Sequence, residues 1–554
     1  MTATEDRPKT RTEGQWALGQ TEPLNRNEEF KREDSALNVR DRILHEYSRT
    51  GFDSISEDDL RGRFRWMGLY TQRKQGIDGA RTGSMSDADL EDPYFMMRIR
   101  IDGGQLNVEQ LETIGRVAQT YARDSADISD RQNIQMHWIR VEDVPAIWEA
   151  IEPVGLWTRE ACGDCPRVVL GSPLAGVHPE EQIDPTPAVE AIKQFIREDD
   201  SLANLPRKFK TSVSWHWDAV PEINDVSFVG AVHPEHGPGF DVLVGGGLST
   251  APHLALSLGA WVPLGEVAEV WHAVTQAFRD YGYRRVRNKA RLKYLIQDIG
   301  PARFREIVES EYLKRPLLDG PAAQPPAHVP DYVGITALKD GTVAVGFAAI
   351  AGRVSGTILL QVAEAARAAG AERVAFTPHQ KLVVLGVAQD KADGLIAALE
   401  PLGLIARASL WRRGTMACTG IEYCKLAIVN TKGRAHELVA DLDRRLADVS
   451  LDHPLAININ GCPNSCARIQ VADIGFKGQI VTDNAGAKVE GFQAHLGGQL
   501  GDDAGYGRKL RGHKVTSAEL GDYIERLVRS YAVQKDDGET FRSWVARSEE
   551  DALR

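Results

Sequence analysis

Cysteine is scarce: the 554-residue chain has 6, too few to knit a fold of this size with disulfides. Long apolar runs are missing too. No stretch approaches the roughly 18 residues that cross a bilayer, so the sequence predicts no membrane span. The opening MTATEDRPKTRTEGQW lacks the basic cluster and apolar core of a secretory leader. The chain is therefore expected in the cytoplasm, where thiols stay reduced and clustered cysteines bind metals more often than they form disulfides. Positive charge is not in excess. A net charge of −12 argues against a general nucleic-acid binder, whose footprint is basic. Nor does any strand run into G-x-G-x-x-G and a helix, so a built-in nicotinamide or flavin module is not expected; VGGGLS at Val244–Ser249 is a glycine run without that pattern.

What remains is a soluble globular composition, 42% hydrophobic and 26% charged, long enough for three or four domains. Short alternating runs such as YFMMRIRI (Tyr94–Ile101) precede helix-like stretches such as LNVEQLETIGRVAQTYARD, an α+β pattern. RPLLDGPAAQPPAHVP (Arg315–Pro330) reads as a linker or extended crossover between two comparable halves. The halves resemble each other. DRQNIQMHWIRVEDVPAIWEAIEPVGL (Asp130–Leu156) aligns without gaps on PHQKLVVLGVAQDKADGLIAALEPLGL (Pro378–Leu404) at an offset of 248, and NDVSFVGAV falls on ADIGFKGQI at the same offset. Duplication is the favoured reading, against two unrelated α/β units sharing a common pattern.

The repeat frames the cysteines. Cys162 and Cys165 in EACGDCPR follow the first unit; Cys418 and Cys424 in MACTGIEYCK are expected at the equivalent place after the second. Only the second half adds another pair, Cys462 and Cys466 in NGCPNSC, where the first half offers LPRKFK in about the same region. Four thiolates suit an iron-sulfur cluster, zinc, or simple packing. Pro463 is suited to the first position of a helix whose N-terminus would favour thiolates. The C-x-x-C of Cys162 and Cys165 has the spacing of a thioredoxin-like pair, but the flanking repeat does not, and packing is the plainer role.

Basic residues gather in LRGRFRW, where Arg61, Arg63 and Arg65 would share one face of a strand. Others are Arg98 and Arg100 in MMRIR, Arg131, Arg167, and Arg207, Lys208 and Lys210 in LPRKFK. Any one alone reads as a solvated surface charge. Embedded in apolar strand-like sequence, the set points to a buried polyanion.

Together these motifs resemble the siroheme-containing sulfite and nitrite reductases, and most nearly the ferredoxin-dependent sulfite reductases of actinobacterial type. The resemblance rests on the duplicated unit, DRQNIQMH, CPRVVLGSPLAG, LPRKFK, MACTGIEYC and NGCPNSC. It implies an internally duplicated, pseudo-twofold α+β fold of paired ferredoxin-like units plus two larger α/β cofactor-binding domains. The divisions expected are an N-terminal arm and basic motif (1–90), a first ferredoxin-like repeat (91–157), a siroheme and anion domain (158–315), a linker (316–330), a second repeat (331–405) and a cluster domain (406–554).

The same resemblance implies that Cys418, Cys424, Cys462 and Cys466 hold a [4Fe-4S] cluster, with the Cys466 thiolate also reaching the siroheme iron. Siroheme carries eight carboxylates; Arg131, Gln135, Arg207 and some of Arg61, Arg63 and Arg65 would bind them. Arg98, Arg167, Lys208 and Lys210 would hold the substrate anion. Nitrite-reducing relatives often carry asparagine where this chain has Lys210, so sulfite is favoured and nitrite is the alternative. Electrons would come from reduced ferredoxin, docking at a local basic surface such as Arg508, Lys509, Arg511 and Lys514, which reads equally as a solvated loop. A monomer is expected. Arg167 would place Cys162 at the substrate face, where the thiol could be reactive or cross-linked to Tyr70.

Overall fold

The 248-residue offset reappears in the elements themselves. In a computed structural model, which describes residues 14–23 and 25–554, strands Ser125–Ile128 and Ile134–Ile139 and helix Val144–Ile151 are matched by Arg373–Phe376, Leu382–Val387 and Ala392–Leu399. Residues 1–13, on which most of the leader argument rests, lie outside the described residues.

Each unit builds a five-stranded antiparallel sheet, but not from its own half alone. The first runs Leu69–Arg73, Glu91–Ile99, Ile134–Ile139, Ser125–Ile128 and then Arg353–Ser355 from the second half; the second ends on Gln105–Asn107 from the first. Two self-contained repeats, as the sequence suggests, are therefore not what forms. The exchanged strands have three residues each and lead directly into helices Val108–Tyr121 and Gly356–Ala368, capped by Asn107 and Ser355. Those helices touch at Gly115 and Gly356, where a Cβ on Gly356 would stand 2.5 Å from the Gly115 carbonyl oxygen. Close approach across the pseudo-twofold axis delivers each short strand to its neighbour's sheet. One apolar core then serves both units, with Leu111, Ile114, Leu359 and Val362 fully buried in it. At about 1.5–3 kcal/mol per such side chain, neither unit is expected to stand alone.

The two larger sheets repeat one design. Pro166–Gly171, Phe209–Ser214 and Val226–His233 are parallel and continue antiparallel into Gly237–Val244 and Leu256–Val262. Thr415–Ala417, Ile457–Asn460 and Ile474–Thr482 are parallel and continue into Lys488–Leu496 and Arg508–Thr516. The proline-rich segment contributes Leu318–Asp319 to the edge of the first sheet and then runs without helix or strand to residue 333, with Ala323 N donating to Asp241. No helix among the described residues is long and apolar enough to cross a membrane.

This matching corrects two expectations. Cys162 and Cys165 precede the strand Pro166–Gly171, whereas Cys418 follows the equivalent strand Thr415–Ala417. Likewise LPRKFK enters the strand Phe209–Ser214, whereas NGCPNSC leaves its counterpart Ile457–Asn460. The basic residues and the metal-type thiols thus occupy opposite ends of equivalent strands, which an offset read only approximately could not show.

Candidate active site between the two halves

The thiol loops are shaped by side chains of their own strands. Asn460, at the end of a buried parallel strand, accepts from Ala467 N at 2.9 Å and donates to the Cys462 carbonyl, closing Cys462–Cys466 as a loop. The helix expected at Pro463 is absent. Ser465 lies at φ 57 and Arg468 at φ 55, left-handed conformations that stop a helix from propagating. Gly461 N donates to Cys418 Sγ at 3.2 Å, as backbone N–H groups do to cluster-bound sulfur.

All six cysteines are free thiols. Burial, and then the charge of Cys466, pushes the Cys418 thiol up to about 12; the same two causes raise Cys424 and Cys462. Four mutually repelling thiolates become compatible only around a multivalent cationic centre. Four soft thiolates brought to one region by two loops are the donor set of an iron-sulfur cluster.

Facing them is a set of cations. Burial and then Lys210 hold Lys208 well below its usual range, while the negative charge of Cys466 acts in the opposite direction, so this lysine looks across at the thiol wall. Burial and then Arg131 press Lys210 down to about 7; its backbone N donates to Asp225 at 2.8 Å. Arg131 donates to Asn224 at 2.8 Å and to the Val168 carbonyl at 2.9 Å, its Nε is buried without a partner, and burial lowers it to about 9. Burial and then Arg287 lower Arg207 to about 10. Arg167 donates twice to the Gly163 carbonyl, at 2.8 and 3.1 Å. A Cβ at Gly163, whose φ is +97, would fall 2.5 Å from the Trp66 ring, so glycine is what lets this loop turn beneath the guanidinium. Arg98 donates to Gln135 at 3.2 Å and to Cys162 Sγ at 2.7 Å. Tyr70, raised first by burial and then by the charge of Cys162, completes that corner.

The basic motif at Arg61–Arg65 is not a strand. It is the end of helix Glu57–Arg61 followed by a 3-10 turn, Arg63–Met67, so its arginines do not share a face. Arg61 pairs with Glu57 and Glu91, and Arg63 with Asp59, so both already have carboxylate partners. Arg65 remains, lowered by burial, with Tyr70 and Asp164 attracting it and Arg287 and Arg167 repelling it. A stretch the sequence reading passed over supplies more cation: RRVRNKARLK, Arg284–Lys293, in which residues 287, 289, 291 and 293 are all basic. Arg287 and Arg291 are held bidentate by Asp164 and Asp225. The period-two charge was the signal that could have found them.

Among the described residues, Arg65, Arg98, Arg131, Arg167, Arg207, Lys208 and Lys210 make no ion pair with a carboxylate, in contrast to Arg100, Arg287 and Arg291. Asp130, Asp164 and Asp225 attract several of them from beyond ion-pair distance, but burying cations at that density without direct pairing still costs on the order of several kcal/mol per ion. A ligand with many carboxylates, plus a small oxyanion, is the counter-charge it fits, and siroheme has that chemistry.

The duplication provides a control. A cavity of about 510 Å³ is lined by His379, Leu455, Ala456 and Asn458, the residues 248 positions beyond Arg131, Arg207, Lys208 and Lys210. The sister position keeps a cavity in which these four places hold no arginine or lysine, while Arg413, Arg468 and Lys535 line it from other positions. The proposed docking residues lie elsewhere, on the edge strand Arg508–Thr516; Arg508 is engaged by Ser548 and Glu550.

Comparison with known proteins places the whole chain in one family. The model "Nitrite and sulphite reductase 4Fe-4S domain" matches residues 162–317 and 411–554; "Nitrite/Sulfite reductase ferredoxin-like half domain" matches 89–154 and 337–402, again 248 apart. The chain is 61% identical to a sulfite reductase [ferredoxin] of Mycobacterium tuberculosis, over 99% of each chain. It is 34% identical to the assimilatory ferredoxin-dependent nitrite reductase of Haloferax mediterranei, over 93% of this chain and 90% of that one. The solved structure of the Mycobacterium tuberculosis NirA protein superposes with a TM-score of 0.96 at 60% identity, covering 98% of this chain and 100% of that one.

Proposed function

Because the chain belongs to the nitrite and sulfite reductase family, we propose that it reduces sulfite to sulfide at a siroheme coupled to a [4Fe-4S] cluster, with electrons from reduced ferredoxin. The observation that carries this reading is the set of cations without carboxylate partners opposite the four thiols. When bound, the two cofactors would relay six electrons, one at a time, from the donor to the oxyanion.

The chain's own residues supply position and protons. Arg131, Arg207, Arg65 and Gln135 would hold the carboxylate periphery. Arg98 and Arg167 would clamp the oxyanion, each already oriented by a fixed partner. Three oxygens leave as water, so each departure consumes two protons. Lys210, brought to about 7 mainly by burial, exchanges a proton near neutral pH, as a general acid must; a bound anion raises it, charging the lysine as substrate arrives. Both walls of the site come from one chain, which supports a working monomer. Reduced thiols and a ferredoxin donor suit the cytoplasm.

Sulfite is favoured over nitrite because Lys210 adds a second loop cation for the more highly charged anion. With reduced ferredoxin, kcat/KM for sulfite should exceed that for nitrite, and a clear preference for nitrite reverses the assignment. At the rim of the same site, Tyr70 and Cys162 form a candidate reactive pair. Cys165 does not compete for that role: its Sγ donates to the Cys162 carbonyl at 2.8 Å, and burial raises the thiol well above its usual range. A Tyr70–Cys162 link would appear as a loss of two hydrogens in the intact mass that persists under denaturant and reductant; an undiminished mass removes the link.

A further inference from the structure

Arg73 is a permanently charged side chain at 1% exposure, placed where a charge is hard to explain by packing. Its backbone N donates to the Tyr423 carbonyl at 2.9 Å. Its guanidinium donates to Thr82 Oγ1 at 3.1 Å, to the Ile77 carbonyl at 3.1 Å, and to the Lys425 and Ala427 carbonyls at 3.4 Å each. These contacts bracket Cys424 from both sides. No carboxylate among the described residues forms an ion pair with it. Burial opposes its charge most, and the strongest attraction it feels is to Cys424, ahead of the exposed Asp78.

A carbonyl cage would be served as well by a neutral donor. A buried cation with no carboxylate is costly, and the thiolate of Cys424, in the loop whose flanking carbonyls it holds, is the anion that attracts it most. From this geometry we infer that Arg73 is a positioning and tuning residue for the metal centre: it clamps the Cys424 loop and sets the reduction potential of the cluster upward by its fixed positive charge. A nearby cation favours the more negative, reduced form of a cluster, and burial keeps that interaction from being screened. The cluster is thereby easier for an external donor to reduce. The inference rests on the assignment of Cys424 as a cluster ligand.

The test is a redox titration of the cluster in holoenzyme, followed by EPR, for wild type, Arg73→Lys, Arg73→Gln and Lys74→Gln. Arg73→Gln should titrate at a more negative potential than wild type. Arg73→Lys, which keeps the charge but cannot bridge the same carbonyls, should stay near wild type. Lys74→Gln removes an exposed charge and should shift little. A cluster-loaded Arg73→Gln with the wild-type midpoint, or an Arg73→Lys that shifts as far as Arg73→Gln, overturns the electrostatic role. Should Arg73→Gln fail to keep its cluster, Thr82→Asp decides: a carboxylate beside the guanidinium should lower the midpoint, and an unchanged value overturns the inference. A wild-type protein without any [4Fe-4S] signal would instead remove the ligand assignment beneath it.

Discussion

Lys210→Asn is expected to lower kcat/KM for sulfite by about 10²–10⁴, the usual worth of a positioned proton donor, with a smaller loss for nitrite. The fold should survive, because what ties this residue to the strand is its backbone N–H to Asp225, and Asp225 is fixed in turn by Arg291. Only the side chain's charge and proton are removed. The pH profile separates these from a packing effect. Burial lowers the free lysine to about 7, so in wild type the anion site loses a cation as pH rises from 7 toward the higher value the bound anion imposes. Sulfite binding should weaken across that window in wild type and lose this component in Lys210→Asn. Equal turnover in the two proteins, with superimposable pH profiles, would remove Lys210 from the mechanism.

The fold and the site were unequally legible in the sequence. The ferredoxin-like units were visible because their register survives duplication residue for residue: Ile134–Ile139 onto Leu382–Val387, Val144–Ile151 onto Ala392–Leu399. Their strand exchange was not, since three-residue strands carry almost no pattern and the deciding contact, Gly115 against Gly356, spans 241 positions. Arg61 and Arg63 were misplaced because period-two charge was read as a strand, whereas Asp59 and Glu91 draw both guanidiniums into ion pairs on a helical turn. The same periodicity in RRVRNKARLK went unused, although Arg287 and Arg291 border the site. NGCPNSC shows the limit of local rules: proline after cysteine suits a helix start, yet Asn460 claims the Cys462 carbonyl and Ala467 N first.

Cys466→Ser should be the most damaging single change, abolishing sulfite turnover rather than reducing it. Cys466 is the exposed member of the four thiols and the one whose charge reaches Lys208 on the opposite wall, which suits the proposed role of a ligand shared by cluster and siroheme. A serine oxygen is a hard donor and a poor substitute at an iron-sulfur centre. Cys162→Ser, on the anion side, should leave both cofactors in place. The visible spectrum and iron content of purified Cys466→Ser, beside wild type, test the account most directly. Wild type should show siroheme absorption together with cluster iron, and the variant should be perturbed in both at once; a Cys466→Ser protein with the wild-type coupled spectrum would contradict the placement of the two cofactors in one site.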